Sequence, residues 1–371
     1  MKIIHVLLGK SNPNTANGVN KFVNGVATEL ALKNYDTEVW GISKNSNVNF
    51  ECNYQLKIFK KKNIFSIDGQ IIKKIKLLDN KNTVFHFHSV FIKEFYQITR
   101  ILIKYNFKYV VSPHSGYSKA ALKSKNLFLK YIYISIFESN IIKKASLLHV
   151  NNPSELDYFQ KLIKNKLIVT TPNGFNLSNN VFRYNNNENY IIGFMGRFSI
   201  KHKGLDILLE GFNEYILQNG IGNLYLIGSG PIKNIVSTLN TSTQKKITIY
   251  EPQFGLKKTH ILSKMSIFIH SSRWEGFPLS LLEAAANSLP LIVSKQTNLG
   301  KYVRQYESGL VLENNTPEEV LKALFIGEKL FKEKTLQKKY SKNAFKMVEN
   351  EFSWSNIVDK IINGYEEILG L

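Results

Sequence analysis

Short apolar runs rich in β-branched residues alternate with longer amphipathic segments along most of the chain. In the first half the apolar runs are KIIHVLL, TEVWGI, TVFHFHS, KYVVSP, SLLHVN and KLIVTTP, and each predicts a strand. Between them lie helix-like segments such as VNKFVNGVATELALKN and SVFIKEFYQITRILIKYN. Strands separated by helices predict right-handed βαβ units on a parallel sheet.

The alternation stops at residues 173–190, NGFNLSNNVFRYNNNENY, which are polar and without period and therefore predict a linker. It resumes with YIIGFMG, NLYLIG, KITIYE, SIFIHS and PLIVS. We therefore predict an α/β protein of two doubly wound, Rossmann-like domains, at residues 1–178 and 188–350. Residues 351–371, which include WSNIVDKIINGYEEILGL, predict a final amphipathic helix.

Composition supports two well-packed domains and limits the chemistry. The chain has 371 residues, of which 43% are hydrophobic, enough for two sizeable cores. Cys52 is the only cysteine, which excludes a disulfide framework or a cysteine-based zinc site and fits a reducing compartment. No window approaches the roughly 20 apolar residues of a membrane span, and MKIIHVLLGKSNPN has too short an apolar run for a signal peptide.

The positive charge is concentrated in the first half of the chain. Of the net charge of +21, residues 1–180 carry +16 and the remainder +5. The lysines cluster in residues 57–65, 71–78, 121–137 and 141–146, where Ile, Leu, Phe and Tyr lie among them. This mixture suits an anionic membrane surface. A composition rich in Lys and Asn that simply solvates the surface explains it equally well.

Residues 273–290, RWEGFPLSLLEAAANSLP, place two acids eight positions apart. Glu283 lies in an apolar helical run, where a carboxylate is costly unless something binds it. With Pro278 in the first helical turn, Glu275 lies in the preceding loop. Free backbone amides at this helix start belong to Gly276, Phe277 and Leu279. Carboxylates accept hydrogen bonds from sugar hydroxyls, so the pair suits a polyhydroxylated ligand, unless Glu283 merely edges a helix and Glu275 offsets its dipole.

A basic loop follows the first predicted strand of the second domain, in GFMGRFSIKHKGLDILLEGF (193–212). Arg197, Lys201 and Lys203 precede Gly204 and a predicted helix. A guanidinium, an ammonium and a helix N-terminus at one strand end are typical of an anion site, and a diphosphate satisfies all three. A solvated basic loop is the alternative. No GxxxxGK[ST] phosphate loop occurs in the chain.

The order of these motifs resembles the retaining glycosyltransferases of family 4, whose fold is GT-B, two Rossmann-like domains facing a central cleft. Glu275–Gly276–Phe277–Pro278 followed by Glu283 resembles the family's E-x7-E motif. TTPNGFN (170–176), GRFSIKHKG (196–204) and IGSGP (227–231) resemble its I-P-N-G, G-R…K-G and G-x-G-P segments. Phe352–Ser353–Trp354 resembles the start of the family's final helix, which returns to the first domain.

The resemblance implies a role for each matching residue. Arg197 and Lys203 would neutralise the donor diphosphate, and Glu283 would bind the ribose hydroxyls. The transferred sugar would be bound by Glu275 and by the backbone of Gly276, Phe277, Pro278 and Leu279. Gly18 of TANGVNKF matches a glycine-rich phosphate loop, although Asn17 stands where many relatives have a second glycine. His114 of VVSPHSG matches a histidine near the reacting carbon, so Glu275 and His114 are the expected catalytic residues; His86 and His88 match a structural H-x-H strand.

The function implied is that of a hexosyltransferase acting without metal or cofactor. It would transfer a hexose or N-acetylhexosamine from a nucleotide-diphosphate sugar, UDP by family habit, with retention of configuration. The acceptor would be a glycan or a polyprenyl-diphosphate-linked oligosaccharide of a bacterial lipopolysaccharide O-antigen or capsule, placing the enzyme in the cytoplasm on the inner face of the cytoplasmic membrane. Alternatives are a sugar-nucleotide 2-epimerase of the same fold and a basic nucleic-acid-binding protein. The latter leaves Glu275 and Glu283 unexplained and lacks a recognised module, so nucleic acid is not an expected partner.

Overall fold

A computed structural model describes residues 1–15, 17–61, 67–114, 116–117, 133–151, 153–163, 166–177, 181–184, 186–275 and 278–371. These residues form two compact units, Met1–Gly174 with Trp354–Leu371, and Phe175–Ser353. The predicted domain limits were 178, 188 and 351. The two descriptions therefore differ at residues 175–187 and 351–353.

The first unit contains a parallel sheet in the order β3-β2-β1-β4-β5-β6-β7. Its strands are β1 (Lys2–Leu8), β2 (Asp36–Ser43), β3 (Gln55–Lys60), β4 (Thr83–His88), β5 (Lys108–Ser112), β6 (Leu147–Val150) and β7 (Ile168–Thr170). The strand order reverses between β1 and β4, where Lys2 pairs with Thr83. In such sheets ligands bind beyond the carboxyl ends of the strands at this switch point.

The second unit repeats the plan with the order β10-β9-β8-β11-β12-β13, again entirely parallel. Its strands are β8 (Ile191–Met195), β9 (Asn223–Ile227), β10 (Ile247–Tyr250), β11 (Ile267–His270), β12 (Leu291–Ser294) and β13 (Gly309–Leu312). The reversal lies between β8 and β11. Strands β3 and β13, at sheet edges, were not among the predicted strands.

Helices connect the strands in both units. The α-helices are α1 (Gly18–Leu32), α2 (Gly69–Lys76), α3 (Lys93–Lys104), α4 (Ser139–Lys144), α5 (Pro153–Leu162), α6 (Ile200–Lys203), α7 (Leu205–Leu217), α8 (Ile232–Val236), α9 (Thr241–Gln244), α10 (Gly255–Leu262), α11 (Leu279–Ala286), α12 (Gly300–Gln305), α13 (Pro317–Lys332), α14 (Lys334–Phe352) and α15 (Trp354–Leu369). A π-helical turn spans Ile134–Glu138 and a 3₁₀ turn spans Lys295–Thr297. Among the residues the structure describes, no helix is both long and apolar enough to cross a bilayer.

Helix α15 belongs to the first unit although it follows the second unit in sequence. Its Ile357, Ile361 and Tyr365 are buried in one apolar cluster with Ile3 of β1 and Val84 of β4. The cluster removes these side chains from water, which stabilises the helix on the sheet.

The indole of Trp354 fixes the start of α15. It packs so closely on Gly25 and Gly174 that a Cβ atom on either would lie 2.2 or 2.3 Å from the ring. A side chain at either position would displace the indole, so both glycines are required by this packing.

Candidate functional site

The loop after β8 is held against the loop after β11 by a close backbone approach. Gly204 directly follows the last residue of helix α6 and has a left-handed φ of +61°. A Cβ atom at Gly204 would lie 1.9 Å from the Ser271 carbonyl oxygen, and the Ser271 hydroxyl donates to the Gly204 carbonyl at 2.8 Å. Glycine is therefore needed here, and its packing places Lys203 beside the loop that carries Glu275.

Lys203 and Glu275 form a mostly buried ion pair at this point. The Lys203 ammonium donates to Glu275 Oε1, which also accepts from the Ser272 hydroxyl at 2.9 Å. The two side chains are only 13% and 10% exposed. Burial is the largest single influence and raises the pKa of the Glu275 carboxyl, but the charge of Lys203, its hydrogen bond and the nearby imidazoles together outweigh burial and lower the pKa. The structure thus brings together the predicted phosphate-binding lysine and the predicted sugar-binding acid in one ion pair.

Backbone and side-chain bonds fix the position of Glu275. Its N–H donates to the Gln296 carbonyl at 3.2 Å, and the Asn298 amide donates to its carbonyl at 2.8 Å. The preceding Arg273 donates to both carboxylate oxygens of Asp206 at 2.8 and 2.7 Å. Such a two-point guanidinium–carboxylate pair is geometrically specific, so this loop is anchored to the start of α7.

His270, the last residue of β11, supports the same pair without carrying charge. It is fully buried, and burial lowers the pKa of its imidazole to about 4. Its Nδ1 is hydrogen-bonded to the Ser272 hydroxyl at 3.0 Å, and that hydroxyl donates to Glu275. The imidazole therefore orients Ser272, which in turn orients the carboxylate.

Arg197 directly follows the β8 strand end and is exposed. Within the part of the chain that the structure describes, no hydrogen bond or ion pair to its guanidinium is present. Arg197 is therefore available to an anion approaching the loop, and its role in binding the diphosphate remains a prediction.

Glu283 takes part in a different ion pair from Glu275. It lies in α11, and its Oε2 accepts from the Lys258 ammonium of α10 at 2.9 Å. The pair borders a cavity of about 600 Å³, whose lining includes Phe175, Arg183, Leu256, Lys258, Glu283 and Asn287. The two acids of the predicted pair, Glu275 and Glu283, therefore lie in two separate ion pairs of the second unit.

The remaining residues of the predicted E-x7-E segment divide into two groups. Gly276 and Phe277 lie outside the described residues. Pro278 is the extended residue that precedes α11 rather than a member of its first turn, and Leu279 begins the helix. Because Pro has no N–H, the helix start can offer the Leu279 amide but none from Pro278.

Gly18 and His114 lie in the first unit. Gly18 is exposed at the start of α1, whose first free amides are capped by the Asn17 side chain, with Val19 N–H donating at 2.9 Å. No described atom lies within 4 Å of a Cβ built on Gly18, so packing does not require a glycine there. His114 follows β5 with a left-handed φ of +52°, an uncommon conformation for a residue with a side chain.

His114 belongs to a set of five buried or half-buried imidazoles. Its Nε2 is hydrogen-bonded to His88 Nδ1 at 3.0 Å, and His88 Nε2 to His5 Nδ1 at 2.8 Å. His86 belongs to a separate series of hydrogen bonds. Its ring is bonded to the Tyr365 hydroxyl at 2.5 Å and to the Ser112 hydroxyl at 2.6 Å, and the Ser112 hydroxyl is bonded to His149 at 2.6 Å. Burial lowers the pKa of each of these imidazoles, so they are neutral at pH 7.

The imidazoles also include the one group in the described residues with ring nitrogens close enough to share a metal ion. Nitrogens of His5, His86 and His88 lie within 4.8 Å of one another. Both nitrogens of His86 are occupied by hydroxyl groups, and His5 and His88 bond each other. A metal ion would have to displace these hydrogen bonds. Metal independence remains a prediction.

Sequence reasoning missed several contributors to the site. Lys258, Ser272 and His270 were not predicted, although each bonds a predicted residue or its partner. The acid in an apolar helix signalled that Glu283 needs a partner. No local pattern identifies which of the many lysines supplies it.

Residues 179–347, which contain the Lys203–Glu275 and Lys258–Glu283 pairs, match the family model described as glycosyl transferases group 1. This part of the chain, a little under half of its length, is similar to the group 1 glycosyltransferases. The predicted resemblance to glycosyltransferases is therefore confirmed, and it supports the prediction of a transferase enzyme. Membership of family 4 remains a prediction.

Curated relatives of the chain have modest identity to it. It is 27% identical over 58% of its length to an uncharacterized glycosyltransferase of Methanocaldococcus jannaschii, covering 60% of that protein. It is 27% identical over 49% of its length to the capsular polysaccharide biosynthesis glycosyltransferase CapM of Staphylococcus aureus, covering 47% of it. A UDP-Gal:α-D-GlcNAc-diphosphoundecaprenol α-1,3-galactosyltransferase of Escherichia coli is 24% identical, with 70% of this chain and 69% of that protein covered. The matches thus span about half to two thirds of these relatives.

Solved structures extend the likeness to both units. Sucrose-phosphate synthase from Thermosynechococcus elongatus matches with a TM-score of 0.74 at 16% identity, covering all of both chains. Anabaena HepE in complex with UDP and glucose matches with a TM-score of 0.68 at 14% identity, covering 99% of this chain and 100% of that one. These matches confirm the predicted fold class, two Rossmann-like domains of the GT-B type.

Proposed function

We propose that this protein is a glycosyltransferase that transfers a hexose or N-acetylhexosamine from a UDP-sugar, with retention of configuration, to a glycan or a polyprenyl-diphosphate-linked acceptor. The observation that carries the proposal is the mostly buried Lys203–Glu275 ion pair at the carboxyl ends of β8 and β11. A lone anion or a lone cation would suit many ligands. A fixed acid beside a fixed base suits a molecule that joins hydroxyl groups to a phosphate.

The basic side of the pair fits the donor diphosphate. The Lys203 ammonium and the exposed Arg197 guanidinium lie on one loop that follows β8. When the sugar leaves, negative charge grows on the diphosphate, and cations already in place stabilise that charge without reorganising. The Glu275 carboxylate then accepts hydrogen bonds from hydroxyls of the transferred sugar.

The nucleoside end fits the cavity beside Glu283. Its volume of about 600 Å³ lies within the range of small-molecule sites. Glu283 pairs with Lys258 in this structure, and ribose hydroxyls would compete for the same carboxylate. The similar HepE structure is in complex with UDP and glucose, which supports uridine as the nucleoside.

Retention favours attack on the face from which the diphosphate leaves. A double displacement needs a carboxylate nucleophile beneath the anomeric carbon. His114 is the residue that the family resemblance places near this carbon. Its hydrogen-bond partner among the described residues is the imidazole of His88, not a carboxylate. In the proposed step the bond from the anomeric carbon to the phosphate oxygen breaks. A bond to the acceptor oxygen forms on the same face, and the acceptor proton passes to the departing diphosphate.

A lipid-linked acceptor is supported by the first unit and by one relative. Helix α2 carries Lys73, Lys74 and Lys76 in its last turn, and the next residue, Leu77, is 85% exposed. Basic and apolar groups on one surface suit anionic headgroups, and the E. coli relative is named for a diphosphoundecaprenol acceptor. We therefore place the enzyme on the inner face of the cytoplasmic membrane. Of the other basic clusters, residues 62–65 and 121–132 lie outside the described part of the chain.

Donor binding is the first test of the function. We expect one of a panel of UDP-, GDP- and ADP-sugars to raise the thermal unfolding temperature, since a ligand at 100 times its Kd adds about 2.7 kcal/mol of stability. The Lys203→Ala variant should lose this shift. No shift with any nucleotide sugar would refute the proposal, and conversion of the sugar to its epimer without acceptor would favour the epimerase instead.

Membrane attachment is tested separately by flotation. At low salt the protein should float with vesicles containing anionic lipid and remain behind with neutral vesicles, because the attraction is electrostatic. A Lys73→Ser, Lys74→Ser, Lys76→Ser variant should float less. Failure of the unaltered protein to float would remove the membrane location but leave donor binding untouched.

A further inference from the structure

Three imidazoles of the first unit form a hydrogen-bonded chain with a buried end and an open end. His5 lies in β1, His88 ends β4, and His114 follows β5. The bonds join His5 Nδ1 to His88 Nε2 at 2.8 Å and His88 Nδ1 to His114 Nε2 at 3.0 Å. His5 and His88 are fully buried, whereas His114 is partly exposed.

A neutral imidazole has one N–H and one bare nitrogen, so the chain has a direction. If His114 Nε2 carried the proton, His88 would donate through Nε2, and His5 would hold its own proton on Nε2. That atom is buried and has no hydrogen-bond partner among the described residues. Buried N–H groups without an acceptor are rarer than under-used acceptors, so the His5 proton belongs on Nδ1.

The opposite direction leaves no donor unpaired. His5 donates from Nδ1 to His88 Nε2, and His88 donates from Nδ1 to His114 Nε2. His114 must then carry its single proton on Nδ1, the nitrogen that this chain does not use. Burial keeps all three rings neutral. It lowers the pKa of His5 and of His114 to about 3, and it also lowers the pKa of His88.

Neighbouring aromatic rings hold this arrangement in place. Phe22 of α1 meets the His114 ring edge-on, with centroids 4.9 Å apart, and lies 5.9 Å from His88. His86 packs 4.2 Å from His88 but bonds Tyr365 and Ser112 instead, so it does not compete for the chain. The left-handed backbone at His114 adds a further constraint on where its ring lies.

We propose that His88, itself oriented by His5, is a positioning residue that fixes His114 in the Nδ1–H tautomer. His114 thereby offers a neutral hydrogen-bond donor at the open end of the chain, and cannot act there as a base. Its catalytic consequence rests on the proposed function, in which the N–H would donate to an oxygen of the sugar. The tautomer itself does not depend on that function.

The tautomer can be measured directly on the full-length protein. Long-range ¹H–¹⁵N correlation of protein labelled with ¹⁵N-histidine separates Nδ1–H from Nε2–H rings, and only eight histidines have to be resolved. A His114→Gln spectrum identifies the His114 signals. We expect the Nδ1–H pattern at pH 7. An Nε2–H or a doubly protonated His114 would overturn the proposal, whatever the enzyme's activity.

A nearly isosteric pair of variants tests whether His88 sets the tautomer. His88→Asn keeps an amide near the former Nδ1 that can donate to His114, whereas His88→Leu removes it. We expect His114 to keep the Nδ1–H pattern in the Asn variant and to lose it in the Leu variant. Loss in both or retention in both would overturn the role of His88. Should the Leu variant fail to fold, His88→Gln, whose amide reaches toward His5 instead, takes its place.

Kinetics should follow the tautomer. We expect kcat to fall about tenfold in the Leu variant and to recover to within about threefold in the Asn variant, with an unchanged KM for the nucleotide sugar, as for one lost hydrogen bond in the transition state. Equal kcat losses in both variants, together with an unchanged tautomer, would show that His88 is merely structural. A correct tautomer in a chain that transfers no sugar would instead refute the proposed function.

Discussion

The two units use one strand plan but place different chemistry at the carboxyl ends of their strands. After β4 and β5, the first unit has imidazoles bonded to one another and kept neutral by burial. After β8 and β11, the second unit has the Lys203–Glu275 ion pair. A neutral network is inexpensive to bury, whereas buried charges are stable only when paired.

The difference shows that sheet topology fixes where a ligand binds but not how it is bound. Charged pairs suit a ligand with fixed charge and hydroxyl groups, as proposed for the second unit. Neutral donors suit an oxygen whose charge changes little, as proposed for His114. The first unit does hold an ionised acid, Glu38, bound by Lys2 and Lys57. However, Glu38 lies near the amino end of β2, away from the carboxyl ends of the strands.

The largest expected effect comes from breaking the charged pair of the second unit. Lys203→Ala and Glu275→Gln should each lower kcat by about 10²- to 10³-fold, because each removes a preorganised group, Lys203 for the charge that develops on the diphosphate and Glu275 for the transferred sugar. The double variant should be scarcely slower than either single one, since the two side chains act together. Initial rates of sugar transfer measure both.

A matched control removes an ion pair that has no role in the site. Lys339 pairs with Glu307 at 2.7 Å, and both side chains are more than half exposed. Lys339→Ala should leave the rate unchanged. Full activity in Lys203→Ala or Glu275→Gln would mean that the second unit does not use its charged pair, and the comparison between the units would fail.

A smaller effect is expected at the second ion pair. Glu283→Gln should raise the KM for the nucleotide sugar about tenfold and change kcat little, as for a residue that binds substrate and transition state equally. Lys258→Ala should lower KM by about twofold, because the ribose hydroxyls no longer have to displace the Lys258 ammonium from the Glu283 carboxylate. A higher KM for Lys258→Ala would indicate that Lys258 itself holds the donor.

The neutral character of the first unit predicts a pH effect on stability. Glu138 is buried and accepts the Phe91 N–H at 3.1 Å, and burial raises the pKa of its carboxyl from 4.5 to about 7. The folded chain therefore keeps a proton that the unfolded chain releases, so stability falls as pH rises from 4.5 to 7. This decrease in the free energy of unfolding amounts to about 3 kcal/mol, and Glu138→Gln should abolish it.

Thermal unfolding at pH 5 and pH 8 measures that effect. Glu138→Gln should raise the unfolding temperature relative to the unaltered protein at pH 8 and hardly at all at pH 5. The exposed Glu349→Gln is the control and should change neither value. An equal shift at both pH values would show that Glu138 is already ionised in the fold, contrary to the contrast drawn between the units.

The smallest expected effect is that of metal removal. Incubation with EDTA followed by gel filtration should leave the rate of transfer unchanged, because cations of the chain itself are proposed to neutralise the diphosphate. Loss of activity that Zn²⁺ restores would turn attention to His5, His86 and His88, and loss that Mg²⁺ restores would indicate a metal-bound diphosphate.

Much of the fold was predictable from hydrophobic periodicity. The buried central strands, such as β1 with its KIIHVLL run, are continuous apolar stretches, and all of them were predicted. Strand β3 was missed because an edge strand exposes one side, and its QLKIFK pattern was interpreted as part of a basic cluster. Strand β13, with the short run GLVL, gave too weak a signal.

The site was predictable only in part. The spacing of Glu275 and Glu283 and the loop with Lys203 depend on local sequence, so they could be recognised. The partners Lys258 of Glu283 and His5 of the imidazole chain come from distant strands and helices. Their contacts arise from tertiary packing, which a single sequence does not encode in any local period.

The position of α15 has a consequence for biosynthesis. Trp354–Leu369 emerges from the ribosome only after Phe175–Ser353, yet it fills the apolar face around Ile3 and Val84. The apolar surface of the nascent first unit therefore stays exposed to water while the second unit is synthesised. We expect chaperones to bind the growing polypeptide during that interval. We also expect that premature termination before Trp354 yields fragments that aggregate rather than fold.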